Sequence, residues 1–404
     1  MSRDWSEQIG RCFSLSLSDD LAEWFDQELW REAIGSEFCQ PVEPQRLLEP
    51  DRDLIWSGFM LPDTLPLVGD DRGDWICLRI APDGEVQEAV QWYHGGGDWT
   101  PYGKNLADAL SLDALRPDDL TRHSHPAEMF SKPDAVTSVR IQQWLATYGS
   151  GSSQPAGQIV QLRRLAIDAL RHPLKTMCDQ STAEQVGIAW EPDLVRTLFD
   201  PVELAAPLKE WLTSKIQSPL EEVTQQDWDA AENAAKQATD LRDDLTWAWD
   251  ISGWAAERRG DLAGAIACYL QGIQSTAFTD EAISLRSHWY AEGLGKFSAA
   301  RLLALQTELS AEQRSDAYFQ LYRACDAESL RSRVRDYWIV QANAALTSGQ
   351  PDQAYWFFYR AGWDLGLQFI SSYEEIFDGL IESADRAGWA ALAKLARMYA
   401  KFLA

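Results

Sequence analysis

The apolar positions of the N-terminal part alternate in two short segments, and this alternation predicts strands. Alternate side chains from Trp75 to Ile80 face opposite sides of the first strand. One face carries Trp75, Cys77 and Arg79. A turn at Pro82-Asp83-Gly84 follows, because proline sets φ and glycine tolerates positive φ. A second strand over residues 86–93 then completes an antiparallel hairpin.

Helical patterns flank this hairpin on both sides. A cap at Asp19 or Asp20 precedes a helix whose apolar face continues to Trp30. Residues 106–110 and 134–148 also have helical patterns. Strands and helices in one stretch predict an α+β domain over residues 1–148.

A run rich in glycine and serine, residues 149–157, has the composition of a flexible linker. No strand pattern persists beyond it, and residues 158–170 and 202–216 have helical patterns. We therefore expect an all-helical domain over residues 158–404.

Two segments of the helical part share one spacing of aromatic and small residues. The segments start at Trp249 and Trp338, with matching glycines at Gly260 and Gly349. This spacing resembles the tetratricopeptide repeat, which implies helical hairpins that turn at those glycines. Weaker copies are centred on Gly295 and Gly388. A stack of helical hairpins outside that family is the alternative.

Charge narrows the choice of partner. The 404 residues include 62 acidic residues against 36 Lys and Arg, which gives a formal net charge of -26. A basic face is needed to bind phosphates, so this balance argues against general affinity for nucleic acid or anionic lipid. The acidic excess permits electrostatic attraction toward a basic protein, and residues 1–150 carry about -15 of the formal net charge.

Cysteine usage indicates a reducing compartment, and hydropathy indicates that no segment crosses a membrane. The six cysteines form no C-x-x-C pair, and no metal-ligand spacing is evident. No apolar run is long enough to span a bilayer, and the first residues have no apolar core of a signal peptide. These features predict a cytoplasmic protein that neither enters membranes nor holds a metal or cofactor. The 19 tryptophans fit helical cores, and an aromatic binding surface is the alternative.

The most specific stretch is residues 56–110. It contains Trp56-Ser57-Gly58-Phe59, an apolar strand, Gly73-Asp74 at a strand entry, the Asp83-Gly84 hairpin and a closing helix over residues 106–110. This stretch resembles the SUKH superfamily, which includes regulators of the Knr/Smi type and many bacterial toxin-immunity proteins. The resemblance implies a sheet-based α+β domain whose role is to bind other proteins, with no catalytic residues.

Candidate binding residues lie in two loops of that stretch. Asp70, Asp71 and Asp74 place three carboxylates within five residues. They form either a solvated turn with an aspartate cap or an acidic patch that meets a basic partner. The glycine run at residues 95–97 predicts a flexible loop that exposes Trp99 and Tyr102. We take these five residues as the predicted partner-binding set.

Three function hypotheses follow. The first is a non-enzymatic interaction protein, and its sharpest version is an immunity-type protein that neutralises a cationic toxin. The second is a regulatory scaffold that grips a client protein or peptide through the helical array. The third is an enzyme with a dispersed active site, although no nucleophile, base and orienting group stand at a recognisable spacing.

Overall fold

The computed structural model describes most of the chain. The described residues are 4–32, 37–71, 73–94, 99–114, 138–150, 155–177, 181, 224–274, 296–325, 327–367 and 369–403. One antiparallel sheet lies in the N-terminal part, and the C-terminal part of the described chain is helical. The predicted α+β class is therefore confirmed.

Five strands form the sheet: Gln40–Pro41 (β1), Thr64–Gly69 (β2), Trp75–Ile80 (β3), Val86–Trp92 (β4) and Trp99–Gly103 (β5). Five helices accompany them: Trp5–Phe13 (α1), Asp19–Asp26 (α2), Pro44–Leu48 (α3), Leu106–Ala114 (α4) and Val139–Tyr148 (α5). The further helices are Pro155–Met177 (α6), Gln225–Leu241 (α7), Thr246–Arg258 (α8), Leu262–Gly272 (α9), Phe297–Ala304 (α10), Ala311–Ser315 (α11), Ala317–Ala324 (α12), Ala327–Thr347 (α13), Pro351–Trp363 (α14), Glu374–Ala387 (α15) and Ala390–Ala400 (α16). Short 3-10 turns occupy Leu29–Arg31 and Ile370–Tyr373.

The strands follow the order β1-β2-β3-β4-β5, and all neighbours are antiparallel. The predicted hairpin is present, with β3 at the expected residues and β4 ending at Trp92. Trp75 lies opposite Gly69 on one side and Trp92 on the other. Directly opposed side chains share a face of a sheet, so Trp75, Cys77 and Arg79 lie on one face as predicted.

Two compact units make up the fold. The first consists of the chain up to Val160 together with the residues from Val334 onward, and the second takes most of residues 161–333. This division differs from the predicted boundary at residues 149–157, because most of α13 and the last three helices belong with the sheet. The expected linker is also shorter at its C-terminal end, since α6 begins at Pro155.

Aromatic side chains explain why the last helices belong to the first unit. Tyr399 donates from its hydroxyl to the carbonyl of Thr64 at 3.1 Å. Trp363 Nε1 donates to the carbonyl of Met60 at 3.1 Å. A series of ring contacts links α14, α15 and α16 through Tyr359, Trp363, Tyr373, Phe377 and Tyr399. The apolar side of these helices is thus buried against strand β2 and the turn before it.

Helices α2 and α5 form a second core within the same unit. Trp24 and Trp144 are fully buried, and their ring centroids are 5.2 Å apart. Trp144 Nε1 donates to the carbonyl of Asp20 at 3.0 Å, which satisfies the polar end of a buried indole. These indoles fill the core, in agreement with the simpler interpretation of the tryptophan content.

Helical hairpins build the second unit. Helices α8 and α9 are joined at Gly260, whose φ of +77° suits a residue without a side chain. A Cβ added to Gly253 would lie 2.5 Å from the ring of Tyr269, so this glycine lets the two helices approach closely. Gly349 and Gly388 close two hairpins of the first unit with similar positive φ. Gly295 and the predicted helix over 202–216 lie outside the described residues.

Candidate functional site

Asp70 organises the loop between β2 and β3. Its Oδ1 accepts hydrogen bonds from the backbone N–H groups of Gly73 and Asp74, each at 2.8 Å. The N–H of Asp70 in turn donates to the carbonyl of Asp74 at 3.0 Å. The side chain is buried, so Asp70 shapes the loop from within, as a capping aspartate does.

Asp74 joins this loop to the end of β4. Its Oδ1 accepts the backbone N–H of His94 at 3.0 Å and lies 2.8 Å from His94 Nδ1. A Cβ added to Gly73 would lie 3.3 Å from the His94 ring, and the φ of Gly73 is +98°. The positive φ therefore favours glycine at this position, and the imidazole lies close to where a Cβ would stand.

The accessible side chains of this region are Asp71, His94 and Trp56. Asp71 is exposed at the tip of the loop, and the Trp56 indole is 38% exposed. The Trp56 ring lies edge-to-face with the imidazole of His94, with centroids 6.0 Å apart. We call the group formed by Asp70, Asp71, Asp74, His94 and Trp56 the acidic rim.

A tight turn fixes Trp56 at the rim. The N–H groups of Phe59 and Met60 both donate to the carbonyl of Trp56, at 3.1 and 3.0 Å. Trp92 Nε1 donates to the carbonyl of Phe59 at 3.0 Å, and this bond ties the turn to the sheet. The backbone that carries Trp56 is therefore held by strand β4.

Trp99 and Tyr102 do not join the acidic rim as exposed side chains. Both lie in strand β5 and are only 9% exposed. The guanidinium of Arg79 lies 4.8 Å from the Trp99 ring centroid, and the Tyr102 ring contacts Phe38 at 5.9 Å. The expectation that a loop exposes them is corrected, because pairing with β4 makes this segment a strand and packing covers both rings.

A second polar group is buried at the other end of strands β2 and β3. Asp63 is 1% exposed and accepts hydrogen bonds from Arg79 Nε and Nη2 at 3.2 and 3.0 Å. The hydroxyl of Tyr359 donates to the other carboxylate oxygen at 3.2 Å. Burial alone would lower the pKa of Arg79, but the carboxylates of Asp63 and Glu88 outweigh it and raise that pKa. Arg79 stays charged, and its partners give this group a structural role.

The side chains around His94 determine which chemistry the rim can carry out. In the described part of the chain, the contacts of His94 are with Asp74, Gly73 and Trp56, which supply no nucleophile for an Asp-His pair to activate. Among the described residues, no three His, Cys, Asp or Glu side chains are placed to hold a metal ion. What the rim offers is carboxylate oxygens, an imidazole and an indole at one surface.

No helix within the described ranges combines the length and apolar composition needed to cross a membrane. The chain matches no protein-family model, no curated protein and no solved structure.

Sequence reasoning identified the rim carboxylates but omitted His94 and Trp56. The predicted hairpin contained the signal for His94. Its register sets Trp75 opposite Trp92, so Asp74, just before Trp75, comes near His94, two residues after Trp92. Trp56 stood in the quoted motif, but its exposure follows from a turn that only the folded chain shows.

Proposed function

We propose that this protein is a non-enzymatic interaction protein that binds a basic protein through the acidic rim. The observation that carries the proposal is the exposed indole of Trp56 beside His94, whose partner is the carboxylate of Asp74. The sharpest version is an immunity-type protein that neutralises a cationic toxin in the cytoplasm. The resemblance of residues 56–110 to the SUKH superfamily supports this version.

The side chains of the rim suit an arginine or a lysine of the partner. A cation over an indole gains about 0.5–2 kcal/mol, depending on how far it is desolvated. A carboxylate accepts charge-assisted hydrogen bonds from the same cation, and a guanidinium can donate two in parallel. Tryptophan is also among the residue types that contribute most to protein interfaces. Trp56 and Asp71 therefore supply the two groups, an indole and a carboxylate, that bind such a cation.

The charge of the whole chain supports the same partner class. A net charge of -26 attracts a basic protein over long distances and accelerates encounter. Salt screens this attraction, with a Debye length of about 8 Å at physiological ionic strength. We therefore expect an association rate that falls steeply as salt is added.

A photo-crosslinking amino acid at position 56 tests the proposal in the source cell, with the same amino acid at the exposed Val139 as control. The expected result is a basic protein linked from position 56 alone. That protein is then purified, and the rate at which it associates with this chain is measured across a salt series. Association that does not respond to salt, or equal crosslinking from both positions, contradicts the proposal.

Charge reversal at Asp71 provides a matched pair of variants. Asp71→Lys places a like charge against a basic partner and should slow association about tenfold. Glu85→Lys makes the same change at an exposed residue beyond the other end of β3 and β4, and it should have a smaller effect. Equal effects of the two variants would assign the attraction to overall charge and remove the rim from the mechanism.

A further inference from the structure

An exposed apolar pair lies in the segment between α14 and α15. Phe369 is 66% exposed, which is the highest value among the large apolar side chains of the described residues. Ile370, next in the chain, is 40% exposed. Such side chains normally cost solubility, and adjacent exposed apolar residues often mark an interaction site.

Hydrogen bonds fix the backbone near this pair. Ile370 begins the 3-10 turn that ends at Tyr373, and residues three apart in such a turn lie over one another. Tyr373 is fully buried, and its hydroxyl donates to the carbonyl of Gly362 at 3.1 Å. The N–H of Leu367 donates to the same hydroxyl at 3.1 Å. The backbone is therefore anchored on both sides of the exposed pair, at Leu367 before it and at Tyr373 after it.

The same tyrosine connects the pair to the turn that carries Trp56. A Cβ added to Gly58 would lie 2.6 Å from the Tyr373 ring, and the Phe59 ring is 6.4 Å from it. Ser57 Oγ also donates to the carbonyl of Phe402 at 3.1 Å, near the C-terminus. Trp56, Phe369 and Ile370 are thus exposed apolar side chains on two segments that are linked through Tyr373, and we call these three side chains the apolar ridge.

Each part of the ridge has carboxylates near it. The imidazole of the Asp74–His94 pair contacts the Trp56 ring, and Asp71 lies in the same loop as Asp74. Glu374 and Glu375, both exposed, begin helix α15 directly after the 3-10 turn. Lys401, an exposed base, has its Nζ 5.3 Å from the Phe402 ring centroid. Apart from Lys401, the charged side chains named near the ridge are acidic.

We propose that the acidic rim and the apolar ridge form one composite surface that binds a basic amphipathic segment of a partner protein. Apolar side chains of that segment lie on Phe369 and Ile370, and its basic side chains meet Asp71 and the glutamates of α15. A second copy of this chain would bring like charges together, and an anionic membrane would be repelled. This inference rests on the proposed function of the rim and adds the apolar half of the partner.

The probes are two labelled synthetic peptides of identical Leu and Lys composition, one with a helical amphipathic pattern and one scrambled. Fluorescence anisotropy with the full chain measures both affinities. We expect the amphipathic peptide to bind at least about tenfold more tightly than the scrambled one. The double variant Phe369→Ser/Ile370→Ser should abolish this difference. Asp71→Lys should weaken both peptides, since it acts on charge alone.

Val139→Ser/Val340→Ser is the matched control, because both valines are more than 60% exposed in the same unit. Unchanged amphipathic binding in the Phe369/Ile370 variant overturns the inference. So does a concentration-dependent dimer that this variant abolishes, which would assign the ridge to a second copy. Ridge-dependent binding to neutral lipid vesicles overturns it as well. Failure of both peptides rejects the composite surface, while the salt series with the crosslinked partner still decides the proposed function.

Discussion

Removing the carboxylate of Asp63 tests whether the buried ion group stabilises the first unit. Asp63→Ala takes three hydrogen bonds from the interior, two from Arg79 and one from Tyr359. Arg79 cannot lose its proton, so it would remain charged in a site where its side chain is 14% exposed. Glu88 offers partial compensation at 3.5 Å from Nη1.

The expected cost follows from these contacts. Breaking a buried ion pair by removing one partner costs about 3–5 kcal/mol, and the nearby Glu88 places this case at about 3 kcal/mol. Tyr359→Phe removes one hydrogen bond to a charged group and should cost about 1.5 kcal/mol. Glu382→Ala is the control, because its pair with Arg386 is exposed and contributes about 0.5 kcal/mol.

Hydrogen exchange of peptides from β3 and β4 is the suitable assay. It reports opening of the first unit inside the full chain, where a single unfolding transition cannot be assumed. A loss of about 3 kcal/mol in the free energy of unfolding accelerates exchange through global opening more than about 100-fold. Acceleration below tenfold, or no larger than that of Glu382→Ala, would refute the reasoning and mean that water replaces the lost carboxylate.

Two further predictions concern close packing and pH. Gly58→Ala should destabilise the first unit by about 2–4 kcal/mol, since φ is +84° and the Tyr373 ring blocks a Cβ. Gly388→Ala, with similar φ but open space, should cost only about 1 kcal/mol, and equal acceleration of exchange in β3 and β4 peptides by both variants would contradict this. Burial raises the pKa of Asp20 despite hydrogen bonds from Ser18 and the backbone, so the folded state keeps a proton that the unfolded state releases near pH 3.9. The stability of the wild type relative to Asp20→Asn should therefore be greatest below about pH 3.9 and fall as pH rises through the raised pKa. Hydrogen exchange of β3 and β4 peptides, compared between the two proteins at each pH, measures this, and a wild type that gains stability relative to Asp20→Asn as pH rises would contradict it.

Local patterns were sufficient for the elements that short-range chemistry determines. Strand β3, the turn at Gly84 and the hairpin turns at Gly260 and Gly349 all follow from alternation or from glycine at positive φ. Long-range pairing was not available in the same way. Asp63 and Tyr359 are 296 residues apart, and Thr64 and Tyr399 are 335 apart. No local pattern marks such partners.

The error at Trp99 and Tyr102 has the same origin. Their neighbourhood is rich in glycine, which favours a loop when only the local sequence is considered. In the fold, Trp99 lies opposite Trp92 and the segment becomes the edge strand β5. Tertiary pairing overrode local composition, as it often does for strands.

The composite surface depends on both ends of the chain. Trp56 and the rim come from the N-terminal part, whereas Phe369, Ile370 and their glutamates come from the C-terminal segment of the same unit. A fragment limited to residues 1–148 would lack the hydroxyl that Tyr359 gives to Asp63 and the ring that Tyr373 places against Gly58. Lost affinity in such a fragment would therefore reflect an incomplete unit as well as a missing contact. Point variants in the full chain, compared with exposed controls in the same unit, separate these causes.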